Sequence, residues 1–286
     1  MTSSAPSRSL KKLPKGFDAM MLNVQGQPSY CYTGGRPFDA AQPTVAFIHG
    51  AINDHSVWIL QSRYLAHHGF NVLAVDLPGH CRSSGPPPAT VQEAAGFIID
   101  LLDAAGVKRA ALVGHSFGSL IALEAAARAA DRISQLVLIG TAAPMKVSTA
   151  LLEASVSAPV QALTMVNVFS RATLAAPPSA LGPGTWVYGN SFALGKRVIA
   201  SNRAHNLFHV AFKACNDYAD GESSMAKVQC PTLFILGHSD QMTPPKAAQG
   251  LIRAARDAQI VTVGAGHHQM TEAPEETLAA LRSFLR

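Results

Sequence analysis

The sequence predicts an α/β fold, a mostly parallel sheet with helices on both faces and a mainly helical insertion. Three observations carry this. Short apolar runs of four to seven residues recur along the chain and alternate with helix-compatible segments, the pattern of βαβ units. Of the 286 residues 48% are hydrophobic and only 14% charged, so a large core is available and extensive disorder is excluded. The alternation then fails between residues 144 and 227, where no strand of the buried type occurs.

Taken in order, residues 1–15 read as a flexible tail rich in Ser, Pro and basic residues, without the apolar stretch of a secretory signal. Phe17–Asn23 and Ser29–Thr33 are two short strands joined by Gln25-Gly26-Gln27-Pro28, a hairpin signature. Thr44–Gly50 is an apolar, β-prone run ending in glycine, and Ser56–His68 is amphipathic, with Val57, Leu60, Tyr64 and Leu65 at helical spacing. Asn71–Gly79 holds a further buried strand and its exit turn. Thr90–Ala105 is a helix, with Thr90 as N-cap and Glu93 at capping-box spacing. The apolar strand that starts at Ala110 and breaks at Gly114-His115-Ser116-Phe117-Gly118, the alanine-rich helix after it and the strand Gln135–Gly140 follow.

Within the interruption, Val156–Phe169 and Ser201–Ala214 are helix-compatible and Ala175–Gly184 is Pro/Gly-rich. An insertion of this size between two sheet strands reads as a cap over residues 144–227. The core domain is then 16–143 and 228–286. Thr232–Leu236 and Gln259–Val263 complete eight candidate strands, with Pro244–Ala258 helical between them. The last helix opens near Pro274 with Glu275 and Glu276 in its first turn and ends with Arg282 and Arg286, a charge order that suits its dipole.

Composition excludes several function classes. The formal net charge is +5, but four of the 23 basic residues (Arg8, Lys11, Lys12, Lys15) lie in the tail and the rest are scattered. A nucleic-acid-binding stripe is therefore not expected. No run of eighteen apolar residues occurs, so no membrane span is expected. The four cysteines (Cys31, Cys81, Cys215, Cys230) show neither CxxC nor metal-ligand spacing. Reduced thiols and a cytoplasmic location are expected. No metal site and no cofactor are called for, and a homodimer through the cap or an edge strand is left open.

The chemistry centres on Gly114-His115-Ser116-Phe117-Gly118, placed between a strand and a helix. Gly-x-Ser-x-Gly in that context is a nucleophile elbow, a tight turn that lifts the serine hydroxyl clear of the sheet at a helix N-terminus. A serine nucleophile needs a base, and the base needs an orienting carboxylate. The strand Thr232–Leu236 leaves through a loop carrying Asp240, and Gln259–Val263 leaves through a glycine-rich loop carrying His267 and His268. Parallel strands put their C-terminal ends on one side, so these loops share an edge with Ser116.

In these residues the sequence resembles the α/β-hydrolase fold superfamily, in the capped branch that includes small esterases, lipases, lactonases and carbon–carbon bond hydrolases. The likeness runs from about Phe17 to Arg286. It includes the elbow, Phe47-Ile48-His49-Gly50-Ala51, Asp76-Leu77-Pro78-Gly79-His80-Cys81-Arg82-Ser83, Gly237-x-x-Asp240, and Gly266-His267 with Glu272 and Pro274 beyond.

The resemblance implies an eight-stranded sheet and a triad of Ser116, Asp240 and His267, the last chosen over His268 because the family's histidine directly follows glycine. It also implies an oxyanion hole from the backbone N–H groups of Ala51 and Phe117. The activity implied is hydrolysis of a small-molecule ester-like substrate. Departures are Cys81, where the family usually has glycine, and the doubled histidine. His49 and His80 are expected to brace loops. His115, His268, Met165, Phe169, Trp186, Phe192 and Phe208 are candidate pocket residues, core packing being the alternative for most.

Relatives acting on haloalkanes or epoxides carry aspartate at the elbow, which argues against both chemistries. Those cleaving carbon–carbon bonds typically carry tryptophan after the histidine, where this chain has His268. The same triad acting on a carbon–carbon bond, lactone or thioester, or as a cofactor-free peroxidase, is the alternative reading. A ligand-binding receptor on the same scaffold is a further one.

Overall fold

The computed structural model describes residues 19–39, 41–172 and 186–286. The tail assigned to residues 1–15, the start of the Phe17–Asn23 strand and the Pro/Gly-rich stretch Ala175–Gly184 lie outside the described residues.

One eight-stranded sheet organises the chain. Its strands are β1 (Ala19–Val24), β2 (Gln27–Tyr32), β3 (Thr44–Ile48), β4 (Asn71–Val75), β5 (Ala110–His115), β6 (Ile133–Ile139), β7 (Thr232–Gly237) and β8 (Ala258–Val263). They are ordered β1-β2-β4-β3-β5-β6-β7-β8. β1 and β2 form the expected hairpin, turning through Gln25 and Gly26 at φ 52° and 77°. Positive φ at both central residues matches the right-handed twist of the flanking strands. β2 runs antiparallel to β4, and every pairing from β4 to β8 is parallel.

Helices cover both faces because alternate residues of each strand point to opposite sides. Ala46, Ile48, Leu112, Leu136 and Leu138 pack under α2 (Val91–Ala104) and α3 (Phe117–Arg128). Val45, Phe47, Val113, Val137 and Ile139 pack on the other side against α1 (Ile59–Ala66), whose Leu65 and Ala66 face them, and the C-terminal helix. All residues of β3, β4, β5 and β7 are buried, which is why these strands read as unbroken apolar runs rather than alternating ones.

Local chemistry sets the helix ends. Thr90 caps α2 by accepting from the Glu93 N–H at 3.1 Å, while the Glu93 carboxylate reaches back to the Ala89 N–H at 2.8 Å. The Ser56–His68 segment is shorter than expected, a 3₁₀ turn at His55–Trp58 followed by α1.

Between β6 and β7 the chain forms α4 (Thr149–Ser157), α5 (Pro159–Ser170), α6 (Val187–Ser201), α7 (Leu207–Asp217) and α8 (Gly221–Met225). The single helix expected over Val156–Phe169 is therefore two. Pro159 disfavours helical backbone at the residue before it, and Ala158 adopts φ −148°, ψ 65°. Likewise Ser201–Ala214 divides, with Ser201 closing α6 and Asn206 capping α7 through the His209 N–H. These helices share their own core of Leu151, Ala162, Leu163, Val198, Leu207 and Phe208. Burying a side chain such as Phe208 contributes about 2 kcal/mol.

The expected Pro244–Ala258 helix is reduced to a 3₁₀ turn (Pro245–Ala248) and α9 (Gln249–Ala254), because Ala258 already pairs with Thr232 in β8. Two more helices, α10 (Gln269–Glu272) and α11 (Pro274–Phe284), close the chain. Among the described residues no helix is long and apolar enough to cross a membrane. All four cysteines are unpaired.

Candidate active site

β5 ends at His115 and α3 begins at Phe117, leaving Ser116 alone in the turn at φ 51°, ψ −119°. Such backbone costs about 1–3 kcal/mol and persists only where its surroundings enforce it. Here the enforcement is close packing. A Cβ on Gly114 would lie 2.1 Å from the Gly118 carbonyl oxygen, and one on Gly118 would lie 2.3 Å from that of Ile48. Both glycines of the motif are thus required by backbone approach. The Ser119 hydroxyl donates to the Ser116 carbonyl at 2.6 Å and can accept from the Thr141 hydroxyl at 2.9 Å, holding the turn from below.

Asp240 stands in the loop after β7. Its Oδ1 accepts from the N–H groups of Met242 (2.9 Å) and Thr243 (2.8 Å). Its Oδ2 faces His267 Nδ1 at 2.9 Å and accepts from the Thr243 hydroxyl at 2.8 Å. Burial alone would raise this carboxyl, but His267 and the hydrogen bonds from His267 and Thr243 outweigh it and hold it at about 2. The carboxylate is therefore charged, buried and saturated with donors.

His267 follows β8 in the loop before α10, and its N–H donates to the Ser170 carbonyl at the end of α5 at 2.8 Å. His115 sits beneath it and places Nε2 2.7 Å from the His267 carbonyl. Donation there fixes the neutral Nε2–H tautomer and leaves Nδ1 buried without a partner. Burial first, and then the neighbouring His267, pulls His115 down to about 3. His268 is held well below its usual value by burial and then by Arg171.

Ser116, His267, His115, His268, Ala51 and Thr243 line one cavity of about 50 Å³ together with the apolar side chains of Met145, Val147, Val166, Phe212 and Met242. The three residues expected as nucleophile, acid and base come together at the C-terminal edge of the sheet. Ala51, from the loop after β3, lines the same space. Phe117 buries its ring in the core while its N–H, the first of α3, has no partner within the helix.

Five candidate lining residues lie elsewhere. Phe208 is fully buried among α4–α7, and Phe169 and Trp186 are 52% and 60% exposed. Phe192 and Trp186 share a shallow depression outside the cavity, and Met165 packs against the helical core. On α5 the lining residue is Val166, one position from Met165 and so about 100° around the helix. Sequence reasoning also missed Thr243. Its position follows from an Asx-turn, in which Asp240 accepts from the Met242 N–H two residues on and the next residue, Thr243, folds back onto the carboxylate.

The bracing histidines behave as expected. His49 Nε2 accepts from the Leu77 N–H at 3.1 Å, and His80 Nδ1 donates to the Pro78 carbonyl at 3.1 Å. Cys81 keeps the left-handed backbone that glycine would adopt there, at φ 43°. Burial, and then Asp54, pushes its thiol up to about 12, so it is no thiolate. Among the described residues the one cluster with ligand atoms close enough for an ion is Asp54, His55 and Asp76, within 4.8 Å of one another. Its carboxylates already serve Arg197 (2.6 Å) and His55 (2.7 Å).

The family model described as alpha/beta hydrolase fold matches residues 43–274. A protein named "Putative carbamate hydrolase RutD" from Pseudomonas savastanoi pv. phaseolicola is 28% identical over 209 residues, 69% of this chain and 76% of that protein. The 3-oxoadipate enol-lactonase 1 of Acinetobacter baylyi is 24% identical over 93% of this chain and 96% of its own length. A solved structure of a hydrolase from Pseudomonas aeruginosa PA01 superposes with a TM-score of 0.77 at 26% identity, covering 94% of this chain and 98% of that one. Three other relatives, at 34–39% identity, align over only 26–36% of their own length, so their names carry nothing over to this chain.

Proposed function

This chain belongs to the α/β-hydrolase fold family, and from that premise we propose a serine hydrolase that cleaves carboxylic esters of small to medium, partly apolar molecules. The observation that carries the reading is the buried Asp240–His267 pair, 2.9 Å apart, facing the cavity that Ser116 enters from its elbow. His267 takes the Ser116 proton as the oxygen attacks the ester carbonyl, and Asp240 holds the imidazole with its proton on Nδ1. The backbone N–H groups of Ala51 and Phe117 receive the developing oxyanion, each contributing about 3 kcal/mol in the transition state. His267 then protonates the leaving alcohol, and water, activated by the same imidazole, releases the acid.

Residues 144–227 act as the cap in this reading. They bring Val166 of α5 and Phe212 of α7 over the nucleophile, and the apolar wall they form suits an acyl chain or aryl ring better than a sugar. At about 50 Å³ the cavity is small beside the roughly 300–1,000 Å³ usual for ligand pockets. The rest of a substrate must continue into neighbouring space.

Full-length likeness to a protein named an enol-lactonase supports a second reading, in which the bond is a lactone. The same groups would open it without change of mechanism. A fluorophosphonate probe tests the shared chemistry. Labelling confined to Ser116 and lost in Ser116→Ala is expected, and a folded protein that stays unlabelled refutes it. Aryl esters of increasing acyl length, run beside lactones, then decide between the two bonds.

A further inference from the structure

A second cleft, of about 530 Å³, adjoins the catalytic cavity and shares Asn53 and His268 with it as walls. Its remaining lining is mixed, with Arg171, Arg197, Asn190 and Ser191 set among Val57, Ile59, Val187 and Leu194. Resting on the hydrolase reading, we propose that this cleft is a subsite for a carboxylate carried by the substrate, with Arg171 as its cation.

The two arginines are not equivalent. Arg197 pairs with the buried Asp54 at 2.6 Å, so its charge is already matched. Arg171 is tied only to neutral oxygens. It donates through Nη1 to Thr271 Oγ1 at 2.8 Å and through Nη2 to the Ser191 hydroxyl. Its Nε is buried with no partner, and among the described residues it makes no ion pair. The adjoining segment 173–185 contains no acidic residue that could supply one. Glu272 acts on it without direct contact, while the two oxygens of that carboxylate accept from the N–H groups of Ala172 (2.8 Å) and His268 (3.3 Å).

A largely desolvated cation with no direct counter-ion is costly unless something arrives to match it. The guanidinium fork fits a carboxylate in shape and in charge. Asn190 and Ser191 add neutral hydrogen-bonding groups around the same space. The direct hydrogen-bond partners of Arg171 are all neutral, and the oxygens of Glu272 are held by backbone N–H groups, so a carboxylate entering the cleft would be its first direct ionic partner. A substrate with a wholly apolar tail would bury Arg171 further and gain nothing from it. The molecule that fits both spaces has an ester or lactone carbonyl at Ser116 and a carboxylate a few bonds away, past His268.

The test compares matched esters in the full-length protein. Mono-p-nitrophenyl glutarate is set against p-nitrophenyl pentanoate, with the carboxylate on the acyl half. Acetoxybenzoate is set against phenyl acetate, with it on the alcohol half. In at least one pair the anionic member is expected to have at least tenfold higher kcat/KM, the preference shrinking as salt is raised. Arg171→Gln is expected to erase the preference chiefly through KM, and Arg171→Lys to keep part of it. Preference for the neutral member in both pairs overturns the proposal, as does an Arg171→Gln variant that slows both members equally, which would mark Arg171 as a structural tie. The wild-type preference and its salt dependence need no variant, so a misfolded substitution does not blunt the test. If no ester is cleaved and Ser116 does not label, the hydrolase reading fails separately. The subsite is then read by whether monomethyl glutarate raises the wild-type Tm; no rise overturns it.

Discussion

Replacing Asp240 by asparagine isolates the electrostatic part of the proposed triad, because the cage around the carboxylate dictates how the amide must sit. Oδ1 accepts from two backbone N–H groups, Met242 at 2.9 Å and Thr243 at 2.8 Å. The amide oxygen of Asp240→Asn must take that place, which turns its NH₂ towards His267 Nδ1 and the Thr243 hydroxyl. An NH₂ facing Nδ1 requires an unprotonated Nδ1, so the imidazole proton moves to Nε2, the atom that should accept from Ser116. Loss of the charge itself removes about 4 kcal/mol of attraction for the imidazolium, taking roughly 4 Å and an effective dielectric of about 20. That is roughly a thousandfold, and the wrong tautomer brings the expected loss in kcat to about 10⁴. The assay is turnover of a p-nitrophenyl ester, with circular dichroism and urea unfolding to verify the fold. Stability should fall by about 1–3 kcal/mol as the hydrogen bonds at Oδ2 are remade. A folded variant within tenfold of wild-type turnover would refute the assignment and place the acid elsewhere.

Thr243→Val removes the hydroxyl that donates to Asp240 Oδ2 at 2.8 Å and lies 3.1 Å from His267 Nδ1. A fall of about tenfold in kcat with KM unchanged is expected, and Thr243→Ser should restore most of it. Gly118→Ala forces a Cβ to 2.3 Å from the Ile48 carbonyl oxygen, backbone against backbone, and should cost about 3 kcal/mol in urea unfolding. A variant as stable as wild type would mean the elbow has more room than the structure gives it. Four buried histidines, His49, His80, His115 and His268, are all held below their usual values, with burial the leading cause in each. Their unfolded forms bind protons first, so stability is fully present above about pH 6.5 and is lost as pH falls towards their folded values. Each group contributes a slope of up to about 1.4 kcal/mol per pH unit. Tm should therefore drop steeply from pH 7 to pH 5, and less steeply in His115→Gln, which keeps a donor for the His267 carbonyl. A flat Tm over that range would contradict the burial of these rings.

Much of this molecule was legible before any coordinates. The central strands announce themselves because burial on both faces leaves them no polar positions, as in Val45–Ile48 and Leu233–Leu236. Thr90 with Glu93, and Pro274 ahead of Glu275, mark helix starts by hydrogen bonding and backbone geometry acting within one turn. Gly114 and Gly118 were readable for the same kind of reason, a backbone approach too close for any side chain. Where local signals compete, the sequence misled. Val156–Phe169 carries a continuous apolar pattern, yet Pro159 breaks it, and Ser201–Ala214 carries a helical pattern across a turn that Asn206 caps.

What the sequence by itself determined is the sheet, the elbow and the order Ser116, Asp240, His267 along one edge. Parallel strands deliver their C-terminal loops to that edge whatever else the chain does. Only the tertiary structure decided which faces of α4–α7 turn inward, placing Val166 and Phe212 in the lining of the cavity that holds Ser116 while Phe169 and Trp186 are exposed. It alone brought Arg171 beside His268, across 97 residues of chain (268 − 171). The physical reason is that packing among the helices between β6 and β7 is settled by many weak contacts at once, and none of them leaves a periodic mark in the sequence.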